Sequence, residues 1–377
     1  MHTFSDIKIA LFIPSLRGGG AERSMMLLAN GLAERGFHVH LLLLAVEGEY
    51  LPQVSAHVRV VNLKSRRAAT SLFSLVRYLW AERPEFLISA LNYINVLAVL
   101  GRFLALEPTR LIVSERTNVS SELENVSKIH RYLMLNLMRA AYCRADAVVA
   151  ISKGVADDLS KSIELSRERI QVVYNPVVTP MLFKKAKEPL PHPWLGEGEP
   201  PVVLGVGRLA PEKDFPTLLR AFARVRVKRL CRLIILGDGK LRSQLALLAK
   251  ELEIEESVCF PGFTSNPYAW MSRAAVFVLS SAWEGFGNVV VEAMACGAPV
   301  ICTDCRSGPR EILEDGKWGA LTPVGEVAGL AKEINICLDS RKRGASILRA
   351  YEFSSSRSVD CYIEILSRLG TRRKQVL

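Results

Sequence analysis

From position 186 to 201 the chain reads Ala-Lys-Glu-Pro-Leu-Pro-His-Pro-Trp-Leu-Gly-Glu-Gly-Glu-Pro-Pro, with five prolines and two glycines. Proline removes a backbone donor and fits neither a helix interior nor a central strand, so this stretch reads as a linker. Upstream of it, apolar runs suited to strands recur at Ile7–Ile13, His38–Val46, Val58–Leu63, Phe86–Ser89, Arg110–Glu115, Ala147–Ile151 and Ile170–Tyr174. Helical stretches such as Ala21–Arg35 and Ser71–Glu82 lie between most of them. Downstream the alternation restarts, with strands at Val202–Val206, Leu233–Leu236, Val258–Phe260, Val276–Leu279 and Pro299–Cys302. Helices are predicted at Phe215–Val227, at Leu241–Leu252 and from Asn288, and the tail Ser356–Leu369 reads as one more. Strands that are apolar almost throughout belong to sheets covered by helices on both faces. The pattern predicts an α/β protein with two Rossmann-like, doubly wound parallel-sheet domains.

Composition agrees with two ordinary folded domains. The 377 residues are 49% hydrophobic and 23% charged, which excludes a disordered or low-complexity chain. No run of eighteen apolar residues occurs; Phe86–Leu106 comes nearest and is broken by Ser89, Asn92, Asn95 and Arg102. Met1–Asp6 has no basic run ahead of an apolar core, so neither a spanning helix nor a cleaved signal is expected. The eight cysteines are scattered, as reduced thiols in a cytoplasmic protein would be. Cys302 and Cys305 form one CxxC without a second pair, which suits buried core thiols better than zinc. Net charge is 49 − 38 = +11. Residues 59–144 carry 13 basic and 6 acidic side chains, giving +7, so the excess is concentrated there.

Three motifs sit where such a fold binds ligands. Gly18-Gly19-Gly20 follows the first strand and opens the first helix, where backbone can approach a ligand and helix amides can face an anion. Arg23 stands where a dinucleotide fingerprint needs its third glycine, and a plain tight turn is the competing reading. Gly207-Arg208 ends the first strand of the second half, with Glu212-Lys213 just ahead of a helix. Arg208 can fork onto phosphate oxygens and Lys213 can add a compact charge, unless both are solvated surface. The third motif is Trp283-Glu284-Gly285-Phe286-Gly287-Asn288-Val289-Val290-Val291-Glu292. Here Asn288 is expected to cap a helix, Glu284 to stand in the loop and Glu292 on the first turns. Two carboxylates and a helix N-terminus then converge, suited to hydroxyls and a phosphate; one capping acid and one surface acid is the alternative. Together these residues describe a sugar-nucleotide site.

With these motifs in place, the chain resembles the retaining family-four glycosyltransferases of the GT-B fold. The resemblance spans nearly the whole length: the glycines at 18–20, GRLAPEKD at 207–214, LGDGKLR at 236–242, EGFGNVVVEAMACGAPVI at 284–301 and SGPREIL at 307–313. It implies two Rossmann-like domains facing an interdomain cleft. The acceptor domain would be 1–183, the linker 184–201 and the nucleotide-sugar domain 202–355, with 356–377 a helix packing back on the first domain. It implies that Arg208 and Lys213 bind the donor diphosphate, that Glu292 holds the ribose and that Glu284 contacts the transferred sugar. Pro261-Gly262-Phe263 is similar to the base-binding loop. Donor contacts are therefore expected from Gly19, Gly20, Gly207, Arg208, Lys213, Phe263, Glu284, Gly285, Phe286, Gly287, Asn288, Val289 and Glu292.

Many members carry a histidine in the first domain, whereas here the chain reads Ser114-Glu115-Arg116-Thr117-Asn118 after a strand. This version resembles bacterial enzymes that move N-acetylhexosamine or galactose onto lipid-diphosphate glycans. Glu115 is assigned a sugar- or acceptor-contacting role, with a strand-end ion pair to Arg116 as the alternative. The catalytic set is then Arg208, Lys213, Glu284 and Glu115. The expected reaction moves a hexose or N-acetylhexosamine from a nucleotide sugar, a UDP-sugar first among them, to a hydroxyl of a glycan or polyprenyl-diphosphate-linked acceptor, with retention. No D-x-D acidic pair sits at the nucleotide edge, so cations are expected to replace a metal and no cofactor is expected. Basic and apolar residues alternate through 64–83 and 128–144, which fits either helix core or an anionic membrane surface on the cytoplasmic side. The cations at Arg220–Arg232 lack aromatic interleaving, so no nucleic-acid partner is expected. A sugar-nucleotide 2-epimerase and a non-catalytic sugar-nucleotide-binding protein share the donor motifs and remain the alternatives.

Overall fold

The computed structural model describes residues 7–65, 68–124, 126–340 and 344–374. They divide into two compact units. Unit 1 holds the residues up to Pro176 together with those from Ser355 onward, and unit 2 holds Val177–Ser354.

Unit 1 is built on seven parallel strands: β1 (Lys8–Ile13), β2 (His38–Leu43), β3 (Val58–Asn62), β4 (Phe86–Ala90), β5 (Arg110–Glu115), β6 (Ala147–Ala150) and β7 (Ile170–Val172). Their order across the sheet is β3-β2-β1-β4-β5-β6-β7. In β1, Ile9, Leu11 and Ile13 face one side, Ala10 and Phe12 the other, and all five are buried. That is why the strand is apolar from Ile9 onward: helices cover both faces. Burying each of the larger side chains contributes roughly 1.5–3 kcal/mol. The helix Ser355–Lys374 belongs to this unit. Tyr362 is buried in its core, the Ser358 hydroxyl donates to the Tyr174 carbonyl (2.7 Å), and Asp360 pairs with Arg35.

Unit 2 carries β8 (Val202–Val206), β9 (Arg232–Leu236), β10 (Val258–Gly262), β11 (Val276–Leu279), β12 (Val300–Thr303) and β13 (Ala320–Thr322). They form a parallel sheet in the order β10-β9-β8-β11-β12-β13. Each sheet reverses its winding once, beside β1 in unit 1 and beside β8 in unit 2. Ligands of doubly wound sheets bind at such switch points, outside the carboxyl ends of the strands.

The proline-rich stretch 184–201 is not a free linker: the division falls between Pro176 and Val177, and the stretch is fastened to unit 2. The His192 ring packs tilted against Trp270 (5.0 Å between centroids), and Arg232 lies over Trp194 (4.9 Å) and pairs with Glu199 (2.9 Å). Asn266 donates to Glu188 (2.7 Å), and Arg273 to the Glu188 carbonyl (3.0 Å). Residues 184–186 still belong to the helix Pro180–Ala186, and beyond it proline limits the chain to one 3-10 turn at Pro193–Leu195 while leaving aromatic rings free to pack.

Candidate active site

At the switch point of unit 2, the loop after β8 meets the loop after β11. The main chain leaves β8 at Gly207, and a Cβ there would come within 3.3 Å of three methylenes of Lys213. Glycine thus lets the Lys213 side chain fold back over the strand end. Its Nζ lies 2.5 Å from Glu284 Oε1, and the two side chains are only 18% and 11% exposed. Ser281 Oγ donates to the same carboxylate oxygen (2.7 Å). The loops are also joined through the main chain: Ser280 Oγ donates to the Lys213 carbonyl (2.8 Å) and Ala282 N to the Glu212 carbonyl (2.9 Å). Arg208 stands apart at 74% side-chain exposure. Its Nη2 and Nε donate to Glu212 Oε1 at 2.6 and 3.2 Å. The site thus has one cation braced in the wall and one at the rim.

The Glu284–Gly287 turn is supported from below by Gly308. That residue has φ +92°, and a Cβ on it would lie 1.8 Å from the Phe286 carbonyl oxygen, so only glycine fits. The helix Asn288–Ala295 follows, and Gly287, in a left-handed conformation, is its N-cap with no side-chain cap. Asn288 is therefore the first helical residue rather than the expected cap. The positive φ at Gly287 turns the chain so sharply that Asn288 already has helical geometry. Glu292 is buried one turn further on. Gly285 and Val289 are half-buried beside these acids. Phe286 is buried, its ring edge-on to Phe353 (5.4 Å), so this residue offers a ligand main chain rather than ring. Phe263 follows β10 at the same sheet edge and is exposed.

In unit 1, Gly19 caps the helix Gly20–Glu34, and the Glu22 carboxylate folds over it: a Cβ at Gly19 would lie 2.1 Å from Glu22 Oε2. The opposing loop leaves β4 through Leu91, whose φ of +82° is rare for a residue with a side chain. Asn92 follows, and its amide donates to Glu122 Oε2 (2.9 Å), which also accepts from Thr117 Oγ1 (2.5 Å). Backbone strain of this kind collects at functional sites. The motif reading missed Leu91, Asn92 and Glu122; no local pattern marks them, because they meet only when β4 and β5 pair.

Glu115 has a different setting from the one expected. It is 0% exposed, with Oε2 accepting from Tyr142 Oη (2.8 Å) and Oε1 from the Arg116 amide (2.9 Å). Tyr142 in turn accepts from Asn95 Nδ2 (2.8 Å). Burial, above all, pushes the Glu115 carboxyl up to about 7, with Tyr142 and the amides pulling the other way. The alternative ion pair is not formed either, since the Arg116 guanidinium turns to Asn175 Oδ1 (2.6 Å) and Met25 Sδ (2.8 Å). In unit 2, Lys213 and Glu284 are in contact, Arg208 pairs with Glu212 at the rim and Glu292 is buried in the helix that follows; Glu115 lies in the core of unit 1. Cys302 and Cys305 are buried free thiols, and burial pushes Cys305 up to about 12. Among the described residues, no group of three or more His, Cys, Asp or Glu is placed to hold a metal ion.

Comparison with known proteins assigns this arrangement to a family. The family described as "Glycosyltransferase Family 4" matches residues 18–179, and "Glycosyl transferases group 1" matches residues 187–350. A curated relative from Campylobacter jejuni is 32% identical over 348 residues, covering 89% of this chain and 91% of its own. The chain belongs to glycosyltransferase family 4. That relative is N-acetylgalactosamine-N,N'-diacetylbacillosaminyl-diphospho-undecaprenol 4-alpha-N-acetylgalactosaminyltransferase. The glycosyltransferase LpsE of lipopolysaccharide core biosynthesis in Rhizobium meliloti is 28% identical, covering 93% of this chain and 96% of its own. Among solved structures, Anabaena HepE in complex with UDP-glucose superposes with a TM-score of 0.79 at 24% identity, covering 96% of this chain and 100% of its own. That likeness shows the GT-B fold of this glycosyltransferase.

Proposed function

We propose that this glycosyltransferase moves a hexose or N-acetylhexosamine from a UDP-sugar to a hydroxyl of a lipid-diphosphate-linked glycan, with retention of anomeric configuration and without a metal ion. The observation that carries the reading is the group at the carboxyl ends of β8 and β11: Arg208 at the rim, Lys213 paired to Glu284, and the amide end of the helix Asn288–Ala295 above buried Glu292. The names of the C. jejuni and R. meliloti relatives, which concern undecaprenol-linked and lipopolysaccharide glycans, support the acceptor class.

The chemistry follows from where charge develops. As the bond from the anomeric carbon to the diphosphate oxygen breaks, negative charge grows on the leaving UDP. Preorganised cations and amides aimed at it lower the barrier, each typically by a factor of about 10²–10³. Donor phosphate would draw Lys213 from Glu284, freeing the carboxylate to accept from sugar hydroxyls; Glu292 would accept from the ribose. Gly285 through Val289 would contribute main-chain amides, Gly207 close approach and Phe263 a face for the base. Gly19 and Gly20, with Asn92 and Glu122, would serve the sugar and acceptor side in unit 1. The acceptor hydroxyl attacks from the face that the diphosphate leaves, passing its proton to the departing phosphate oxygen, which preserves configuration. The enzyme would work on the cytoplasmic face of the membrane that holds its acceptor.

The test is a set of incubations with UDP-sugars, a polyprenyl-diphosphate-linked acceptor and excess EDTA. The expected outcome is acceptor-dependent UDP release and an axial glycosidic bond by NMR coupling. A sugar changed at C2 without acceptor would mean an epimerase. Nucleotide binding without turnover would mean a non-catalytic binding protein. Turnover lost in EDTA and restored by magnesium would refute the metal-free mechanism.

A further inference from the structure

Three helices of unit 1 lie side by side: Ala68–Glu82, Asn92–Ala105 and Lys128–Tyr142. Gly101 permits the first contact, since a Cβ there would lie 2.6 Å from Leu75 Cδ2, and Trp80 Nε1 donates to the Ala105 carbonyl (2.8 Å). Buried Asn95 and Tyr142 join the second helix to the third. Each helix turns apolar residues to the core and a second apolar set outward. On Lys128–Tyr142 only Met138, Ala141 and Tyr142 are buried, while Ile129, Leu133 and Leu137, spaced four apart on the opposite face, are exposed, Ile129 to 75%. On Asn92–Ala105 the outward residues are Leu100, Phe103 (67% exposed) and Leu104. Leu106 ends that helix in a left-handed conformation with 88% of its surface in water. Phe73 and Trp80 continue the face on the first helix.

An apolar surface this broad on a folded unit marks an interaction site. Its charge identifies the partner. Arg77 sits between Phe73 and Trp80 on the same helix face, and Lys128 lies one turn from Tyr132 beside Ile129; neither cation makes an ion pair with a described residue. Arg66 and Arg67, which belong to the same basic stretch, lie outside the described residues. Apolar side chains edged by unpaired cations fit a surface that is apolar inside and anionic outside. A second copy would oppose one +7 segment to another, which like charges resist. Among the described residues no helix is long and apolar enough to cross a membrane, so contact would be with the surface.

We propose that the outward face of these three helices docks the enzyme on an anionic lipid surface, with Ile129, Leu133, Phe103 and Trp80 entering the headgroup boundary and Arg77 and Lys128 meeting lipid phosphates. The middle helix is central to this surface. This deepens the proposed acceptor chemistry, but it stands on exposure and charge and is tested apart from the donor site.

The full chain is sedimented with vesicles of phosphatidylcholine alone and of phosphatidylcholine with phosphatidylglycerol, at low and high salt. Binding is expected with the anionic vesicles and is expected to weaken with salt. Phe103→Gln with Leu133→Gln should abolish it. Arg77→Gln and Lys128→Gln together should weaken it about 25-fold, at about fivefold per cation. UDP-dependent thermal stabilisation, measured on each variant, should match the wild type, which separates failure of this surface from failure of the donor site or the fold. Absence of binding to either vesicle would overturn the proposal, as would equal binding to both. So would binding unaffected by the apolar pair of substitutions, or a change in oligomeric state by those substitutions in a chain that never sediments with vesicles.

Discussion

Replacing Lys213 by methionine separates what the lysine does for the protein from what it does for the reaction. Methionine keeps most of the stem over Gly207 and removes the ammonium. Glu284, 11% exposed, then retains the Ser281 hydroxyl as a side-chain donor. Breaking a buried pair by deleting one partner costs about 3–5 kcal/mol. This pair is not fully buried, so a loss near 2 kcal/mol is the working figure, read as a lowered denaturation midpoint at unchanged slope. The companion change Glu284→Gln removes the carboxylate that needs the lysine. The double variant should therefore recover most of the stability lost in Lys213→Met, a non-additivity of the kind contacting residues show. Turnover should behave differently. With no ammonium to meet the leaving diphosphate, kcat should fall by about 10²–10³ in Lys213→Met and remain at least as low in the double variant. Denaturant titrations and steady-state UDP release on the same four proteins decide it. Recovery of turnover along with stability would refute the reasoning, because Lys213 would then serve only to neutralise Glu284.

Two further outcomes follow from the same geometry. The Glu115 carboxyl titrates near 7 when folded and near its ordinary 4.5 when unfolded, because burial disfavours its charge. Between these values the native state holds a proton that the unfolded state has released, so this group's contribution is fully present below pH 4.5 and is lost as pH rises through 7. At about 1.4 kcal/mol per pH unit this amounts to on the order of 3 kcal/mol. Glu115→Gln should show a correspondingly flatter fall in stability from pH 4.5 to 7, and an unchanged profile would contradict the burial argument. Gly308→Ala would drive a methyl against the Phe286 carbonyl and strain a backbone at φ +92°. UDP affinity should drop by at least tenfold, measured by calorimetry, with far-UV circular dichroism unchanged.

Much of this was legible in sequence because the information was local. The runs that became β6, β8 and β11 are apolar throughout and most of the others nearly so, and the glycines at 207 and 285–287 mark the loops at the strand ends. What stayed hidden depended on partners distant in the chain. Glu115 reads in sequence as a sugar- or acceptor-contacting acid or as half of an ion pair with Arg116, yet Tyr142, itself held by Asn95, closes over it. Leu91 gives no signal of its positive φ, since leucine is not a residue that favours it. Prolines at 189–201 correctly predicted irregular chain but not its attachment, which depends on Trp270, Asn266 and Arg232. For Lys128–Tyr142, apolar spacing predicts a helix but not which side faces the core. Met138, Ala141 and Tyr142 take that side, leaving Ile129, Leu133 and Leu137 outside.

The most direct measurement is the position of a bound nucleotide, from crystals of the full chain grown with UDP. Both phosphates should lie within hydrogen-bonding distance of the Arg208 guanidinium, the Lys213 ammonium and the amides of 287–289, with the ribose hydroxyls on Glu292. Phosphates seated instead on the Gly19–Gly20 turn of unit 1, with Lys213 still closed on Glu284, would contradict it.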